Sequence, residues 1–458
     1  MNIRTGTCIM RISVVLMALL ALVSCSEDDP VPPFDVNFTN TSVGITTTAQ
    51  IEITFSRAAG NSGSLAIEVA TGNLSYGETA DFVTDPPVEN DQITIDFLPG
   101  DETINFEIST SSGLNIQQDE TLTFKLIDSD DAFSVGQNTS VTVTFSENFI
   151  APSGTLEIDG GGSTFPNQAF IDLSKLTQTT ADKYSWDLGF LSNVGEHRVI
   201  LNNSAYVMAR ALESTDIDAV TAQDTAGFAA SMYISNYEDP GAANWIDHQS
   251  GDLDQTAIGL IGSSDEDNRV FIIKRDGEGR NWKKIRILRD GDNYAILHAD
   301  IDATTHNRTT VTKDAAYQFN FLDLDHGMTT VSPETDKWDL MYSTYANRAN
   351  FGITLAVGFN DFITVNRQGV SAVMVNEEEV TYEDFNSAHV NDLTFVEDNI
   401  AVIGSTWRSL VDFSLVLNED RFYVIRDGQD QIYKLKFTRL TSIAGERGYP
   451  EITFERVQ

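Results

Sequence analysis

The sequence predicts an all-β protein: an N-terminal sandwich followed by two related antiparallel β domains. Two observations lead to this fold class. In the first third of the chain apolar residues alternate with polar ones, as in Ile51-Glu52-Ile53-Thr54-Phe55. In the rest of the chain, tripeptides recur at a nearly constant offset. Alternation with a period of two is typical of strands that bury one face, and a constant offset indicates a duplicated unit.

The N-terminus predicts export. Arg4 and Arg11 flank the start of an apolar run, 12–23, that is too short to span a bilayer as a helix but suits the core of a signal peptide. The run ends at Leu22-Val23-Ser24-Cys25, which resembles the lipobox of bacterial lipoproteins. This resemblance implies a leader at 1–24 and a lipid on Cys25 that anchors the protein to the outer membrane. The acidic segment 26–29 resembles the signal that sends Bacteroidetes lipoproteins to the cell surface.

Cysteine usage and charge exclude several kinds of site and partner. Cys8 leaves with the leader and Cys25 is expected to carry lipid, so neither a disulfide nor a cysteine-based metal site is expected. The formal net charge of −39 repels nucleic acid and anionic lipid headgroups. We therefore expect no nucleic-acid partner and attachment to the membrane through the lipid alone.

After an acidic, proline-containing tether at 25–35, residues 36–147 show the pattern of a β sandwich. Successive alternating segments are separated by clusters of Gly, Asn, Asp and Pro. The segment resembles a Calx-β domain, and the resemblance is carried by Leu98-Pro99-Gly100-Asp101-Glu102-Thr103 and by Asp119-Glu120-Thr121-Leu122-Thr123-Phe124. It implies a two-sheet fold over about 110 residues.

The Calx-β resemblance also raises calcium binding. Calcium-binding members carry acidic residues near the first strand and in the loops at one end, but here Gly44-Ile45-Thr46-Thr47 stands where a glutamate is expected. Possible oxygen ligands remain in Glu89, Asp91, Asp128, Asp130 and Asp131. The alternative is that these acids are simply solvated.

Three tripeptide anchors define the internal repeat. Ile171-Asp172-Leu173 recurs as Leu322-Asp323-Leu324, Trp186-Asp187-Leu188 as Trp338-Asp339-Leu340, and Arg275-Asp276-Gly277 as Arg426-Asp427-Gly428. The offsets are 151 or 152 residues. Residues 154–305 and 306–458 are therefore predicted to be two copies of one domain.

Both copies resemble the HmuY family of haem-binding bacterial lipoproteins. The motifs are Trp186-Asp187-Leu188-Gly189-Phe190, then Arg198 with Asn202-Asn203-Ser204, and the late strands Tyr423–Gly428 and Tyr433–Phe437. The resemblance implies capture of haem outside the cell and its transfer to an outer-membrane receptor. It also implies iron held between two axial His or Met side chains located after the Trp-Asp strand.

Candidate haem ligands follow from that resemblance. They are Met208, Met232 and His248 in the first copy, and Met374 and His389 in the second. A methionine in an apolar strand is, however, more often core filling, and a lone histidine is more often structural. Haem propionates would also need nearby cations such as Arg198, Arg210 or Lys274. Trp186 and Trp338 are interpreted as core anchors.

The predicted function is therefore non-catalytic binding of haem, or a related tetrapyrrole, for uptake. The alternative is a surface adhesion or assembly protein that binds a protein or glycan partner without haem. The chain has no Gly-x-Ser-x-Gly, His-Glu-x-x-His or phosphate-loop motif and no nucleophilic cysteine, so an enzyme is not expected.

Overall fold

The computed structural model describes residues 33–45, 47–77, 80–110, 120–127, 133–146 and 150–457. Cys25, Asp128, Asp130 and Asp131 lie outside these residues, as does the leader. No helix in the described ranges is long and apolar enough to cross a bilayer.

The N-terminal part is a sandwich of two five-stranded sheets, with strand orders β5-β7-β3-β1-β9 and β2-β10-β8-β4-β6. The strands are β1 (Phe34–Phe38), β2 (Ser42–Ile45), β3 (Thr48–Phe55), β4 (Gly63–Ala70), β5 (Phe82–Asp85), β6 (Gln92–Phe97), β7 (Thr103–Thr110), β8 (Glu120–Ile127), β9 (Phe133–Val135) and β10 (Ser140–Phe145).

The alternation predicted for this sandwich is confirmed. In β6 the residues Ile93, Ile95 and Phe97 are buried, while the residues between them are exposed. Phe97 packs edge-on against Phe34 at 5.7 Å and Phe55 at 5.4 Å between ring centroids, joining the two sheets. One face of each strand thus supplies the core between the sheets.

Twenty further strands form the rest of the protein. They are β11 (Ser153–Glu157), β12 (Asn167–Asp172), β13 (Thr177–Asp182), β14 (Leu188–Leu191), β15 (Val199–Leu201), β16 (Met208–Ala211), β17 (Val270–Lys274), β18 (Lys283–Asp290), β19 (Asn293–Asp300), β20 (Asn307–Val311), β21 (Phe319–Asp323), β22 (Gly327–Thr329), β23 (Leu340–Asn350), β24 (Thr354–Val365), β25 (Ser371–Asn376), β26 (Arg408–Val411), β27 (Ser414–Leu417), β28 (Arg421–Arg426), β29 (Ile432–Thr441) and β30 (Arg447–Arg456). A short helix, α1 (Ser387–Val390), and the 3-10 turns Ala222–Thr225, Ala229–Ser231, Pro240–Trp245, Leu253–Gln255 and Asp265–Asp267 complete the described elements.

Eighteen of these strands form two lobes, each made of a five-stranded and a four-stranded sheet, and β26 and β27 form a separate two-stranded sheet. Lobe A comprises residues 150–182 and 338–457, with sheets β11-β30-β29-β28-β25 and β13-β12-β23-β24. Lobe B comprises residues 183–332, with sheets β16-β17-β18-β19-β20 and β15-β14-β21-β22. Each lobe has its own buried apolar core between its two sheets.

The lobes exchange strands between the two sequence copies. The Asp-Leu strand of the first copy, β12, pairs with β23 of the second copy, so that Ile171 lies opposite Leu340. The Asp-Leu strand of the second copy, β21, pairs with β14 of the first, so that Leu322 lies opposite Leu188. Lobe B is thus a continuous segment inserted between the two parts of lobe A.

Equivalent lysines on the closing strands have an unexpected location. Alternation on β18 and β29 predicts basic head groups on one face, but Lys284 and Lys434 are buried. Lys284 Nζ donates to the carbonyl oxygens of Val220 and Ala303, each at 2.6 Å. Lys434 Nζ donates to the carbonyl oxygen of Tyr382 at 2.9 Å. Each lysine satisfies carbonyl groups of an irregular segment that covers its sheet.

Candidate ligand-binding cleft between the lobes

A cleft opens at the seam where the four-stranded sheets of the two lobes meet. Its empty volume is about 870 Å³, including solvent at its mouth. Its apolar wall consists of Phe170, Trp186, Ile200, Phe319, Phe321, Val331, Trp338, Met341 and Tyr345. Both lobes contribute to this wall.

The two repeated tryptophans have equivalent positions across the seam. Trp186 packs edge-on against Phe321 with ring centroids 4.7 Å apart, and Trp338 packs in the same way against Phe170 at 5.2 Å. The Trp186 indole Nε1 donates to Gln168 at 2.7 Å. These residues therefore line a cleft as well as anchoring the sheets.

A pair of asparagines fixes the backbone beside each tryptophan. Asn202 Nδ2 donates to the carbonyl oxygen of Trp186, and Asn366 Nδ2 to that of Trp338, both at 2.9 Å. The two asparagines follow their tryptophans at different spacings. Aligning the two copies at a constant offset therefore does not place Asn202 opposite Asn366.

His248 is the one predicted ligand that lines this cleft. It is half-buried, and its Nδ1 lies 2.7 Å from Ser250 Oγ. Burial, and then the nearby Arg348 charge, lowers the pKa of His248. At neutral pH the imidazole is therefore neutral. The backbone N–H of Ser250 also donates to Nδ1, at 3.2 Å, which favours the tautomer that carries its proton on Nε2.

Asp247, Asp252 and Arg367 place ionisable groups beside the aromatic wall of the cleft. Asp247 is buried, accepts from the backbone N–H groups of Leu201 at 2.7 Å and Ala257 at 2.8 Å, and has its pKa raised by burial to about 6. The Arg367 guanidinium lies 5.9 Å from the Phe319 ring centroid. Within the described part of the chain Arg367 has no hydrogen-bond or ion-pair partner. Arg367 was not among the predicted site residues, because nothing in its local sequence distinguishes it.

Met208 and Met232 lie together, but away from this cleft. Both are fully buried in one apolar cluster with Phe228 and Ile246. Ala346 of lobe A packs into the same cluster, so it too spans the seam. Neither thioether is accessible in this packing.

Cations near that cluster already have other contacts. The Arg210 guanidinium stacks over Phe228 at 3.9 Å and over Trp245 at 4.9 Å from the ring centroids. Lys274 forms an ion pair with its neighbour Asp276. Arg198 forms an ion pair with Asp254 and donates to the carbonyl oxygen of Leu253 at 3.0 Å.

The structure does not bring Met374 and His389 together. His389 stacks on Phe385 at 5.4 Å, on the face of the sheet where Val375 and Phe422 are buried. Met374 precedes Val375 on β25 and so points to the opposite face, where it is partly exposed and its sulfur lies 3.7 Å from Arg421. These two residues therefore do not form one axial pair.

The described calcium candidates are exposed. Glu89 and Asp91 lie in the turn before β6, where Asp91 has a positive φ of 62°. Among the described residues no group of three or more His, Cys, Asp or Glu is arranged to hold a metal ion. With the other three candidates outside these residues, calcium binding stays a prediction.

The lobes differ in the charges around their equivalent Trp-Asp aspartates. Asp187 in lobe B accepts from the backbone N–H of Leu324 at 2.8 Å, and Asp339 in lobe A accepts from that of Leu173 at 2.8 Å. Asp187 is also ion-paired with Arg275 at 3.0 Å and with Arg280. Burial raises the pKa of Asp187, and the two guanidinium groups oppose that rise.

Asp339 lacks such compensation. Burial, followed by the charges of Asp172 and Asp427, raises its pKa to about 8. An acid whose pKa is higher in the folded than in the unfolded state binds a proton on folding. Its stabilising contribution is complete below the unfolded value of 3.8 and is lost as the pH rises towards about 8.

The variant Asp339→Asn should therefore be more stable than the wild type at alkaline pH. Asparagine retains an oxygen acceptor for the Leu173 N–H and removes the charge. We expect the gain in unfolding free energy to grow between pH 5 and pH 9, to on the order of 2–4 kcal/mol. Urea titrations at the two pH values measure it, and an equal gain at both would contradict the prediction.

The fold and the cleft define a class: an all-β protein with an N-terminal sandwich and a duplicated unit that has an aromatic cleft at its seam. The chain belongs to the HmuY protein family, which matches residues 164–295 and 315–454, more than half of the chain. The two matched stretches confirm the predicted duplication.

Solved structures of Calx domains are similar to part of the chain. The apo-form Calx CBD1 domain is 16% identical, and the match covers 25% of this chain and 96% of that one at a TM-score of 0.21. The CBD12 structure of CALX1.2 is 14% identical and covers 32% of this chain and 75% of that one, also at 0.21. No curated protein matches the chain.

Proposed function

We propose that the protein binds haem or a related tetrapyrrole without catalysis, in the cleft between its lobes. One observation carries the proposal: an aromatic cleft presents an imidazole from His248, a thioether from Met341 and the unpaired guanidinium of Arg367. Membership of the HmuY family supports the same ligand class.

The chemistry of the cleft suits a flat, largely apolar ligand with anionic substituents. Aromatic side chains such as Trp186 and Trp338 offer faces and edges to a macrocycle. A neutral imidazole and a thioether are ordinary ligands of haem iron. Arg367 would pair with a propionate, since guanidinium matches a carboxylate in shape and charge.

Met208 and Met232 form a second candidate ligand pair. Their presence in one buried cluster supports a shared role. Haem would reach them only after the segment that carries Met232 moves away from Met208. The cleft pair is preferred, because His248 and Met341 line a space that is open to solvent.

A haem titration of residues 151–458 followed by Soret absorbance, with iron oxidised and then reduced, tests the proposal. We expect saturable binding in the wild type. His248→Ala should weaken it about tenfold or more, and Arg367→Gln should weaken it by a smaller factor. Met208→Leu and Met232→Leu in one chain are the matched control, because leucine conserves the packing of a buried methionine.

Each result of the haem titration points to a different binding site or class of ligand. Binding lost only in the double methionine variant would move the ligands to the buried cluster. No saturable spectrum in either redox state would overturn the haem proposal. It would favour a protein or glycan partner, for which the exposed Leu410 and Phe413 of the β26–β27 hairpin are the first side chains to test.

We also propose that Cys25 carries the lipid that attaches the protein to the outer membrane, facing outwards. The lipobox-like sequence and the acidic residues after it support this location. An outer-membrane receptor would then take up the captured ligand. Metabolic labelling with an alkyne fatty acid, lost in Cys25→Ala, tests the attachment.

A further inference from the structure

Strand register aligns the buried polar residues of the two lobes. In lobe B Ile273 lies opposite Lys283, and in lobe A Ile425 lies opposite Tyr433. Tyr433 thus stands where lobe B has Lys283. Two residues beyond the aligned isoleucines stand Arg275 in lobe B and Asp427 in lobe A. Register alone would also allow the offset of the Arg-Asp-Gly match, which aligns Ile273 with Val424. The buried faces decide between the two, because Ile273 and Ile425 both lie in the core between the two sheets of their lobe.

In lobe B these positions surround Asp187 with cations. Arg275 has a fully buried side chain and pairs with Asp187 and Asp325. Arg280, from the loop between β17 and β18, donates to Asp187 and, at 3.0 Å, to the carbonyl oxygen of Trp186. Guanidinium groups therefore occupy the space around this Trp-Asp pair.

In lobe A the equivalent space is a pocket. It is lined by Thr335, Asp336, Trp338, Asp339, Gln368, Gly369, Val370, Gly428 and Gln429, with about 630 Å³ of empty volume including solvent at its mouth. The loop between β28 and β29, from Asp427 to Gln431, is shorter than its lobe B counterpart and provides no arginine.

Buried polar atoms beside this pocket lack partners. Asp427 is 1% exposed, and its Oδ2 has no hydrogen bond, although its Oδ1 accepts from the N–H groups of Gln429 and Gln431. Tyr433 is fully buried, and its hydroxyl also has no partner. The Asp427 and Asp339 charges both act on that hydroxyl, which places it near them.

The lobe A cations that follow in sequence are directed elsewhere. Arg426 stacks over Phe395 at 4.2 Å, and Lys434 donates to the carbonyl oxygens of Tyr382 and Phe385. Within the described ranges, no lysine or arginine forms an ion pair with Asp339 or Asp427.

We propose that the pocket over Asp339 binds a guanidinium group supplied from outside the chain. The group would occupy the space that Arg280 and Arg275 fill in lobe B, and would pair with the Asp339 carboxylate. It would also donate to the unpartnered Asp427 Oδ2. A planar guanidinium has the donors for such a site, and burial makes the pairing strong. The site adjoins the cleft between the lobes, since Trp338 lines both.

Thermal unfolding with methylguanidinium chloride as the probe tests the site. At about 20–50 mM probe we expect the Tm of the wild-type chain to rise by about 2–4 °C, against sodium chloride at equal ionic strength. Asp339→Asn should abolish the rise. No rise in the wild type, or an equal rise in Asp339→Asn, would overturn the proposal.

A second variant supplies the guanidinium group from the protein chain itself. Gln429 is exposed at the pocket mouth, and Gln429→Arg would deliver a guanidinium from the lobe A turn. We expect it to raise the Tm and to remove the response to methylguanidinium, whereas Gln429→Leu should retain that response. Persistence of the full response in Gln429→Arg would contradict the site.

The source of the group is distinguished by a further titration. Tighter binding of N-acetyl-arginine methylamide than of methylguanidinium would indicate an arginine side chain of a peptide or protein. Equal binding would indicate a small free guanidino compound. Binding of neither probe to the wild type overturns the proposal for both sources.

Discussion

Residues 183–332, expressed alone, are expected to fold as a stable monomer, whereas residues 154–305 are not. The first fragment contains every strand of lobe B and its whole core, from Leu188 to Leu324. The second contains β11 and β12 without their lobe A partners β30 and β23, and lacks β20 and β21, which pair with β19 and β14. Unpaired strands and a divided core leave too little buried apolar surface to offset the entropy of folding.

Far-ultraviolet circular dichroism during heating, with size-exclusion chromatography, measures the difference. Fragment 183–332 should give one cooperative transition at monomer size, and 154–305 should be unfolded or self-associated. The fragment 151–458 is the control. A cooperative monomeric transition in 154–305 would mean that its first strands fold back on their own copy, contrary to the observed pairing.

The variant Asp187→Asn should be strongly destabilised. The change removes the carboxylate that accepts from two guanidinium groups, while Arg275 remains fully buried. Breaking a buried ion pair from one side costs about 3–5 kcal/mol when the other charge is left without a partner. Arg275 keeps Asp325 as a partner, so we expect a loss towards the lower end of that range. The amide nitrogen introduced by asparagine would in addition face donors. Urea unfolding at pH 7 measures this loss.

The same substitution at the equivalent position is the matched control. Asp339→Asn removes a charge that no cation compensates, so its effect should have the opposite sign. Two losses of similar size would show that the lobes respond to the geometry of the Trp-Asp turn and not to the charges around it.

Sequence reasoning predicted the sandwich and the duplication because both depend on local signals. Alternation identified Ile93, Ile95 and Phe97 as core residues, and all three are buried. Three repeated tripeptides predicted that the rest of the chain contains two copies of one domain. The exchange of strands was not predictable, because β12 and β21 carry the same Asp-Leu sequence and suit either copy as a partner.

The candidate site depends on tertiary structure and was predicted less well. Of the five candidate ligands only His248 lines the cleft. Met341 and Arg367 line the cleft because the two lobes pack against each other there. No local sequence pattern indicates that packing. The sequence did contain an indication that Met374 lies apart from His389. Met374 stands between Val373 and Val375 in a strand, where neighbouring side chains point to opposite faces.

Insertion of one lobe within the other also sets an order of events as the exported chain emerges from the membrane. The backbone N–H of Leu173 emerges before its acceptor, Asp339, which follows 166 positions later. Lobe B is completed first, and its neighbouring ends at β14 and β21 then bring the two halves of lobe A together. A chaperone that shields β12 in that interval would raise the yield of native protein more than one acting later.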